Sequence, residues 1–506
     1  MIKHKHRRKV TIVLAALMFF ASVPLELIAE ELTTQSSSDY LLHENYYHFP
    51  DVPSLDPPYN LENDSGDNSE NFEETYLETQ YTTEQLNSLY FDQSLDTSRH
   101  GSGLIGFYGP NALTYDDTLV PIIAVFNQDP ISVQLARAAE RGITPFFDAP
   151  SLVESEWQLF YTELNQLSIS PFQNDLSTRN NSNTVTITHE FSQAFNGVSM
   201  TVPSHMVPYI GAFQSVAMVF PNEILQLDPI IIDTHPIEED LLAFGGSTPS
   251  GVRLGRERMN AHILHEMGIR GEGVLMAILD TGLYYYHPTF EGSFPTAADM
   301  AARGVTIPDE YLLYLEGQGY FFVGRDMLHT LHGGIWMNSE RGNDPMETSP
   351  MIFPNSQPNQ WSNHGTHVAA TAIGRETAGM KGIAPEALAI HYRVLGPGGG
   401  TSADIIAAME HAAYYMGADV INLSLGPGGF TPLLNPTTIA TNNLSMSTDA
   451  IFVFAAGNSG PNYNTTWGGG NSSFAINVAN FAETPYRGTI DFSSNSVNRG
   501  ELSFFS

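Results

Sequence analysis

The chain has 506 residues, of which 42% are hydrophobic, and it is therefore long and apolar enough for more than one globular domain. Its formal net charge of -34 argues against a nucleic-acid partner, because carboxylates and phosphates repel each other. The sequence contains no cysteine, which excludes structural disulfides and thiolate metal sites.

The first residues have the layout of a secretory signal peptide, which we place at residues 1–29. A basic start of lysines and arginines is followed by an apolar run at 10–23, which Pro24 ends, and the small residue Ala29 suits a cleavage site. The run is short for a membrane span, although an uncleaved anchor is the alternative. No other stretch is long and apolar enough to cross a bilayer. We therefore expect a secreted protein, extracellular or at the cell surface, with no stable membrane span.

Residues 30–115 are rich in Asp, Glu, Ser, Asn and Tyr and show little apolar periodicity. This composition predicts an acidic, disordered leader. The next segment, 116–224, predicts a small α/β domain in which strand, helix, strand, strand, helix and strand follow one another. The expected strands are at 120–126, 184–189, within 191–200, and at 216–220, and the expected helices are near 133–141 and 203–213.

Prolines and paired glycines at 225–258 predict a linker that contains or adjoins a maturation cleavage site. From 259 to 506 short apolar strands alternate with helices, which favours a buried parallel sheet with ligands at the carboxyl ends of its strands. The expected strands are 274–279, 389–395, 420–423, 451–455 and 475–479, and the clearest helix is 402–416, with Ser402 as its N-cap and Gly417 just past its end.

Three polar residues stand where such a sheet would carry chemistry. Asp280 directly follows the strand at 274–279, His364 opens a helix of small residues, and Asn458 follows the strand at 451–455 in a Gly-Asn-Ser-Gly turn. A carboxylate can orient an imidazole that acts as general base, and an amide N–H can stabilise an oxyanion. Taken singly, the Asp and the Asn also suit ordinary turns. A metal site at His364 and His367 is a further reading, but no glutamate accompanies the two histidines.

Together these motifs resemble those of the subtilisin-like (subtilase) serine peptidases. The matching segments are, in order, Asp280-Thr-Gly, His364-Gly-Thr-His-Val-Ala and Ala-Ala-Gly-Asn458-Ser-Gly-Pro, with His287-Pro and the stretch 420–426 as further matches. The resemblance implies an α/β fold, a subtilisin-like parallel sheet with helices on both faces. It makes Asp280 the orienting residue, His364 the general base and then acid, and Asn458 the oxyanion donor.

Two segments of the small domain, Phe195-Asn-Gly-Val-Ser-Met and Val216-Ala-Met-Val-Phe-Pro-Asn, resemble the inhibitor-type propeptides of the same family. This resemblance makes 116–224 an intramolecular inhibitor whose tail runs toward His364.

Substrate-binding residues also follow from the resemblance. Gly398, Gly399 and Gly400 correspond to the edge that receives an extended substrate by strand addition. The first specificity pocket would be walled by small or apolar residues: Ser424, Leu425, Gly426, Ala456 and Gly457. A calcium ion is common in the family, but the sequence assigns no ligands to it.

The sequence departs from the family in three places. Ala370 stands where a glycine is usual, and the insertion at 291–360 is interpreted as a surface elaboration. The family's Gly-Thr-Ser-Met-Ala-x-Pro motif, which carries the nucleophile, does not occur in the 506 residues. The Gly-Thr-Ser at 400–402 precedes Asn458 and is better explained as a helix start. We expect the nucleophile beyond residue 506, the domain 259–506 to be incomplete at its C-terminus, and the chain as given to be inactive.

The sequence thus predicts a secreted serine endopeptidase that hydrolyses protein or peptide substrates. The alternative is a non-catalytic surface or binding protein on a degenerate subtilase scaffold.

Overall fold

The computed structural model describes residues 103–107, 111–114, 116–141, 149–169, 185–225, 256–257, 259–328, 344–347, 362–376, 381–396, 399–426, 434–459 and 466–479. All of them belong to one compact unit, Leu89–Ser506. The predicted signal peptide, almost all of the acidic leader and most of the linker lie outside the described residues. Within the described residues, no helix combines the length and the hydropathy that a bilayer crossing requires.

The first sheet has four antiparallel strands in the order β2-β3-β1-β4. The strands are β1 (Leu119–Phe126), β2 (Thr186–Phe191), β3 (Gly197–Pro203) and β4 (Val216–Pro221), and the accompanying helices are α1 (Ile131–Glu140), α2 (Ala149–Ile169) and α3 (Val207–Ile210). Side chains of β1 alternate between two cores, as a strand covered on both faces requires. Phe126 packs in one core with Phe160 of α2, whereas Ile123 lies in the core shared with the larger sheet.

The predicted element order of this region lacked one helix. Residues 149–169, where no element was predicted, form the longest helix described. The helix expected at 203–213 is shorter, with a 3-10 turn at Ser204–Met206 followed by α3. The four strands follow one another along the chain in the predicted order.

The larger sheet has six strands in the order β14-β13-β12-β6-β10-β9, and its neighbours pair in parallel. Its strands are β6 (Leu275–Asp280), β9 (Gly324–Asp326), β10 (Leu388–Arg393), β12 (Val420–Leu423), β13 (Ile451–Ala455) and β14 (Ala475–Val478). Two of the predicted strands, 420–423 and 451–455, have the predicted bounds. Asp280 is the last residue of β6 rather than the first residue after it.

Helices cover both faces of this sheet, as the predicted fold class requires. They are α4 (Ala261–Glu266), α5 (Ala297–Ala302), α6 (His364–Ile373), α7 (Ser402–Glu410) and α8 (Pro436–Ser447). Alternate residues of β6 belong to different cores: Ala277 packs with α7, and Ile278 packs with α6. The α/β fold with a parallel sheet and a preceding small α/β region is therefore confirmed.

The insertion at 291–360 is more than a surface elaboration, so that interpretation was wrong. Its described part contains a hairpin of β7 (Leu313–Leu315) and β8 (Gly319–Phe321) and also the edge strand β9. Phe322 and Val323, just before β9, are fully buried. Short apolar runs separated by long polar stretches concealed this packing in the sequence.

The start of α7 also differs from the prediction. Thr401, not Ser402, is the N-cap, and its hydroxyl accepts a hydrogen bond from the Asp404 amide, while the Asp404 carboxylate accepts one from the Thr401 amide. A π-helical turn, His411–Tyr415, then leads to Gly417, whose φ of 60° ends the helix as predicted. Residues 400–402 therefore form the start of α7, and they are not a nucleophile motif.

Candidate active site

Asp280 is held rigidly at the carboxyl end of a central strand. Its side chain is 1% exposed, and its Oδ1 accepts a hydrogen bond of 2.7 Å from the Thr281 amide. Its backbone carbonyl accepts hydrogen bonds from the amides of Val394 and Leu395, which follow the neighbouring strand β10. A carboxylate fixed in this way presents a defined oxygen to a partner side chain.

That partner is His364, the first residue of α6. Its Nδ1 lies 2.7 Å from Asp280 Oδ1. The close approach depends on Gly365, because a Cβ at this position would lie 2.1 Å from the Gly282 carbonyl oxygen and 3.2 Å from Asp280 Oδ1. The helix of small residues therefore sits directly on the end of β6, and Asp280 and His364, the predicted partners, are in contact.

The electrostatics of this pair suit a general base. An ionised carboxylate only accepts hydrogen bonds, so the proton of neutral His364 lies on Nδ1 and Nε2 carries the free electron pair. Burial disfavours the charged ring, but the hydrogen bond with Asp280 and the charges of Asp280 and Glu347 outweigh it and raise the pKa of His364. The imidazole side chain remains 26% exposed.

Asn458 is exposed and lies three residues past β13, at the same carboxyl edge of the sheet as Asp280. The turn that presents it needs Gly457, whose φ is 102°. Ala456 is tied to the next strand by a hydrogen bond of 2.8 Å from its amide to the Val478 carbonyl. Asn458 and the Asp280–His364 pair are thus on one edge, separated by β12.

The predicted substrate edge is already paired with another segment of the chain. Gly400–Thr401 (β11) pairs in antiparallel fashion with Ile224–Leu225 (β5) from the end of the small domain. Gly400 must be a glycine, because a Cβ would lie 1.8 Å from the Val394 carbonyl oxygen. Gly399, with φ of 91°, exchanges two hydrogen bonds of 2.9 Å with Gly396. Gly398 lies outside the described residues.

Three of the residues predicted to wall the first specificity pocket have defined surroundings in the structure. Leu425 is buried, and Ser424 Oγ accepts a hydrogen bond of 3.0 Å from the Asn422 side chain. Gly426 lies against Trp467, since a Cβ there would come within 2.9 Å of the indole. Sequence reasoning missed Trp467, and the only signal was a lone aromatic residue followed by three glycines after the Asn458 turn.

Sequence reasoning also missed the residues that join the small domain to α7. Glu410 is buried, and its Oε2 accepts hydrogen bonds from the amides of Ala194 at 2.8 Å and Gln193 at 3.2 Å. At the other end of α7, His189 Nε2 lies 3.3 Å from the buried Asp404 Oδ1. These carboxylates contact partners more than 200 residues away along the chain, so no local pattern reveals them.

The metal reading of the two histidines has no support in the described geometry. His364 is paired with Asp280, and His367 is exposed on the first turn of α6. Within the described part of the chain, no group of three or more His, Cys, Asp or Glu side chains is arranged to hold a metal ion.

Residues 271–504 match the sequence model of the subtilase family. This part of the chain, a little under half of its residues, is therefore similar to the subtilases. It is 33% identical over 298 residues to the minor extracellular protease Vpr of Bacillus subtilis, covering 58% of this chain and 30% of Vpr. It is 36% identical over 141 residues to a subtilisin of a Bacillus species, covering 26% of this chain and 32% of the relative. The chain thus spans about a third of the length of these relatives.

Among solved structures, fervidolysin from Fervidobacterium pennivorans is similar, with a TM-score of 0.38 and 14% identity, over 80% of this chain and 54% of fervidolysin. Sphericase has a TM-score of 0.31 and 26% identity, over 47% of this chain and 59% of its own.

Proposed function

We propose that this chain is part of a secreted serine endopeptidase that hydrolyses peptide bonds by a Ser/His/Asp mechanism. The hydrogen bond between His364 Nδ1 and Asp280 Oδ1 is the observation that carries the proposal. It joins a buried carboxylate to a partly exposed imidazole at the carboxyl edge of a parallel sheet, where ligands bind in such folds. Export is supported by the signal-peptide pattern of residues 1–29.

In this mechanism His364 Nε2 removes the proton of a serine hydroxyl as the oxygen attacks the substrate carbonyl carbon. The proton then passes from His364 to the leaving amine, and a second cycle with water releases the acyl group. Asp280 remains ionised, fixes the tautomer and stabilises the imidazolium. The Asn458 side chain donates to the oxyanion of the tetrahedral intermediate. The nucleophile of this mechanism is the serine of the family's Gly-Thr-Ser-Met motif. That motif does not occur in the 506 residues, so activity requires a longer polypeptide that carries it.

We further propose that 116–224 is a propeptide that inhibits the enzyme until it is cleaved. Three contacts support this. First, β5 pairs with β11 at the edge where an extended substrate would bind. Second, the Ser402 amide donates a hydrogen bond of 3.0 Å to the Glu223 carbonyl. Third, the Glu410 carboxylate accepts hydrogen bonds from backbone amides of the small domain. A segment that pairs with this edge excludes substrate by occupying the same main-chain groups. Cleavage at 225–258 would free it.

The test is hydrolysis of an unstructured protein by the longer polypeptide that carries the serine, before and after release of the propeptide. We expect hydrolysis after release that a serine-directed reagent abolishes, and much less before release. A folded, processed polypeptide without hydrolytic activity would overturn the proposal and favour a binding protein on the same scaffold.

A further inference from the structure

A short segment of the long insertion lies directly against the candidate active site. Residues 344–347 run beside the turn that follows Asp280, where Leu283 and Met346 form a bridge. The Leu283 amide donates to the Pro345 carbonyl at 2.9 Å, and the Glu347 amide donates to the Leu283 carbonyl at 3.3 Å. Gly282, with φ of 107°, permits this contact, because a Cβ would lie 2.5 Å from the Pro345 oxygen. The segment therefore brings Glu347 to the base of the Asp280–His364 pair.

The Glu347 carboxylate connects the two halves of that pair. Its Oε1 accepts hydrogen bonds from Thr281 Oγ1 and, at 3.1 Å, from the Gly365 amide. Its Oε2 accepts hydrogen bonds from Thr366 Oγ1 and, at 3.2 Å, from the Thr366 amide. Thr281 directly follows Asp280, and Gly365 and Thr366 directly follow His364. One side chain thus ties the end of β6 to the start of α6.

Both the burial and the charge of Glu347 are unusual for a residue from a polar insertion. The residue is 2% exposed, and a carboxylate in such a place is costly unless its oxygens are satisfied. Desolvation raises the pKa of Glu347, and the hydrogen bonds from Thr281 and Thr366 oppose that rise. The first amides of a helix lack intrahelical acceptors and carry partial positive charge, which suits a carboxylate at this position. In turn, the charge of Glu347 adds to that of Asp280 in favouring protonated His364.

We infer that Glu347 is a positioning residue of the peptidase, which sets the placement of His364 against Asp280 and favours the imidazolium that forms during catalysis. The inference rests on the proposed function, since it gives Glu347 its role through the general base. Glu347 itself touches neither substrate nor nucleophile in this account.

The test compares two substitutions of Glu347 with one at a distant carboxylate. Glu347→Gln keeps the length but removes the charge and turns one acceptor into a donor that faces the helix amides. We expect kcat/KM of the longer, serine-carrying polypeptide to fall about 10- to 100-fold, mainly through kcat, the size of loss that a small misplacement causes. The acid limb of its pH profile should move to lower pH, because the pKa of His364 falls when a nearby negative charge is lost. Glu376→Gln, which removes a carboxylate that is 74% exposed, should change neither.

Glu347→Asp distinguishes the effect of the negative charge from the effect of side-chain length. It also provides a test of the inference if Glu347→Gln does not fold. It keeps the negative charge but shortens the side chain, so kcat should fall while the acid limb stays near that of the wild type. A loss of thermal stability in Glu347→Gln with an unchanged acid limb would show a merely structural role and overturn the inference. An unchanged kcat in Glu347→Asp would contradict the positioning role in the same way.

A second readout does not depend on activity. The 506-residue chain with isotope-labelled histidine can be titrated by NMR, with His364 assigned from the His364→Asn spectrum. We expect the pKa of His364 to be lower in Glu347→Gln than in the wild type and unchanged in Glu376→Gln. If the longer polypeptide proves inert, the proposed peptidase function fails, yet this titration still decides whether Glu347 acts on His364.

Discussion

Gly365 offers the sharpest test of how the candidate site is assembled. In Gly365→Ala the new Cβ would lie 2.1 Å from the Gly282 carbonyl oxygen, more than 1 Å closer than the 3.4 Å at which ordinary contacts begin. Both groups belong to backbone, so neither can rotate away, and α6 must move off the end of β6. A displacement of that size would stretch the 2.7 Å bond between His364 Nδ1 and Asp280 Oδ1 beyond hydrogen-bonding distance.

We therefore expect Gly365→Ala to lower kcat/KM of the longer polypeptide about 100-fold. Overpacking should also cost about 1–3 kcal/mol in the free energy of unfolding. The assay is the initial rate of peptide hydrolysis at several pH values, with thermal unfolding measured on the same samples. His367→Ala on the exposed face of the same helix is the control, and it should keep full activity. A fully active Gly365→Ala enzyme would refute the close packing of α6 on β6 and, with it, the geometry on which the site depends.

Four further outcomes follow from the same structure. Asn458→Ala should lower kcat of the longer polypeptide about 10²- to 10³-fold with little change in KM, the loss measured for the same kind of donor in a subtilisin, and an unimpaired variant would show that the oxyanion assignment is wrong. Asp280→Asn should lower kcat about 10⁴-fold, because an amide can donate to Nδ1 and stabilise the wrong tautomer, and hydrolysis near the wild-type rate would contradict the orienting role. Because the base must be neutral and the pKa of His364 is raised, kcat/KM should fall as pH drops through a value above 6.5, the ordinary histidine pKa, and an acid limb below 6.5 would contradict this. Glu410→Ala removes the acceptor of two amides, so hydrogen exchange at Gln193 and Ala194 in the full chain should become faster, whereas unchanged protection would show that Glu410 does not hold the small domain.

Much of the catalytic edge could be predicted because its parts are local in sequence. A buried strand that ends in Asp280 and a helix of small residues that begins with His364 are short patterns with fixed orientations. Since parallel strands end at one edge, the two motifs could be placed together without knowledge of the fold. The strands at 420–423 and 451–455 have their predicted bounds because each is a short, local apolar pattern.

The residues that could not be predicted depend on contacts between distant segments. Glu347 lies 66 residues from Thr281 in a polar insertion, and only the folded chain shows that its carboxylate is buried. Glu410 is a helical glutamate whose partners lie 216 and 217 residues away. Helix α2 was missed because some of its leucines, such as Leu152 and Leu159, are exposed. Apolar residues therefore occur on both the buried and the exposed face of the helix, which obscures its amphipathic periodicity. Thr401 and Ser402 are both good N-caps, and only the backbone decides between them.

The central claim, a serine peptidase with His364 as general base, is tested most directly by one comparison. The longer polypeptide and its His364→Ala variant, both released from the small domain, are incubated with an unstructured protein, and new N-termini are counted over time. The account predicts cleavage by the wild type and a loss of about 10⁴-fold or more in the variant, because the hydroxyl then lacks its base. Equal rates for the two proteins, or no cleavage by a folded wild type, would contradict it.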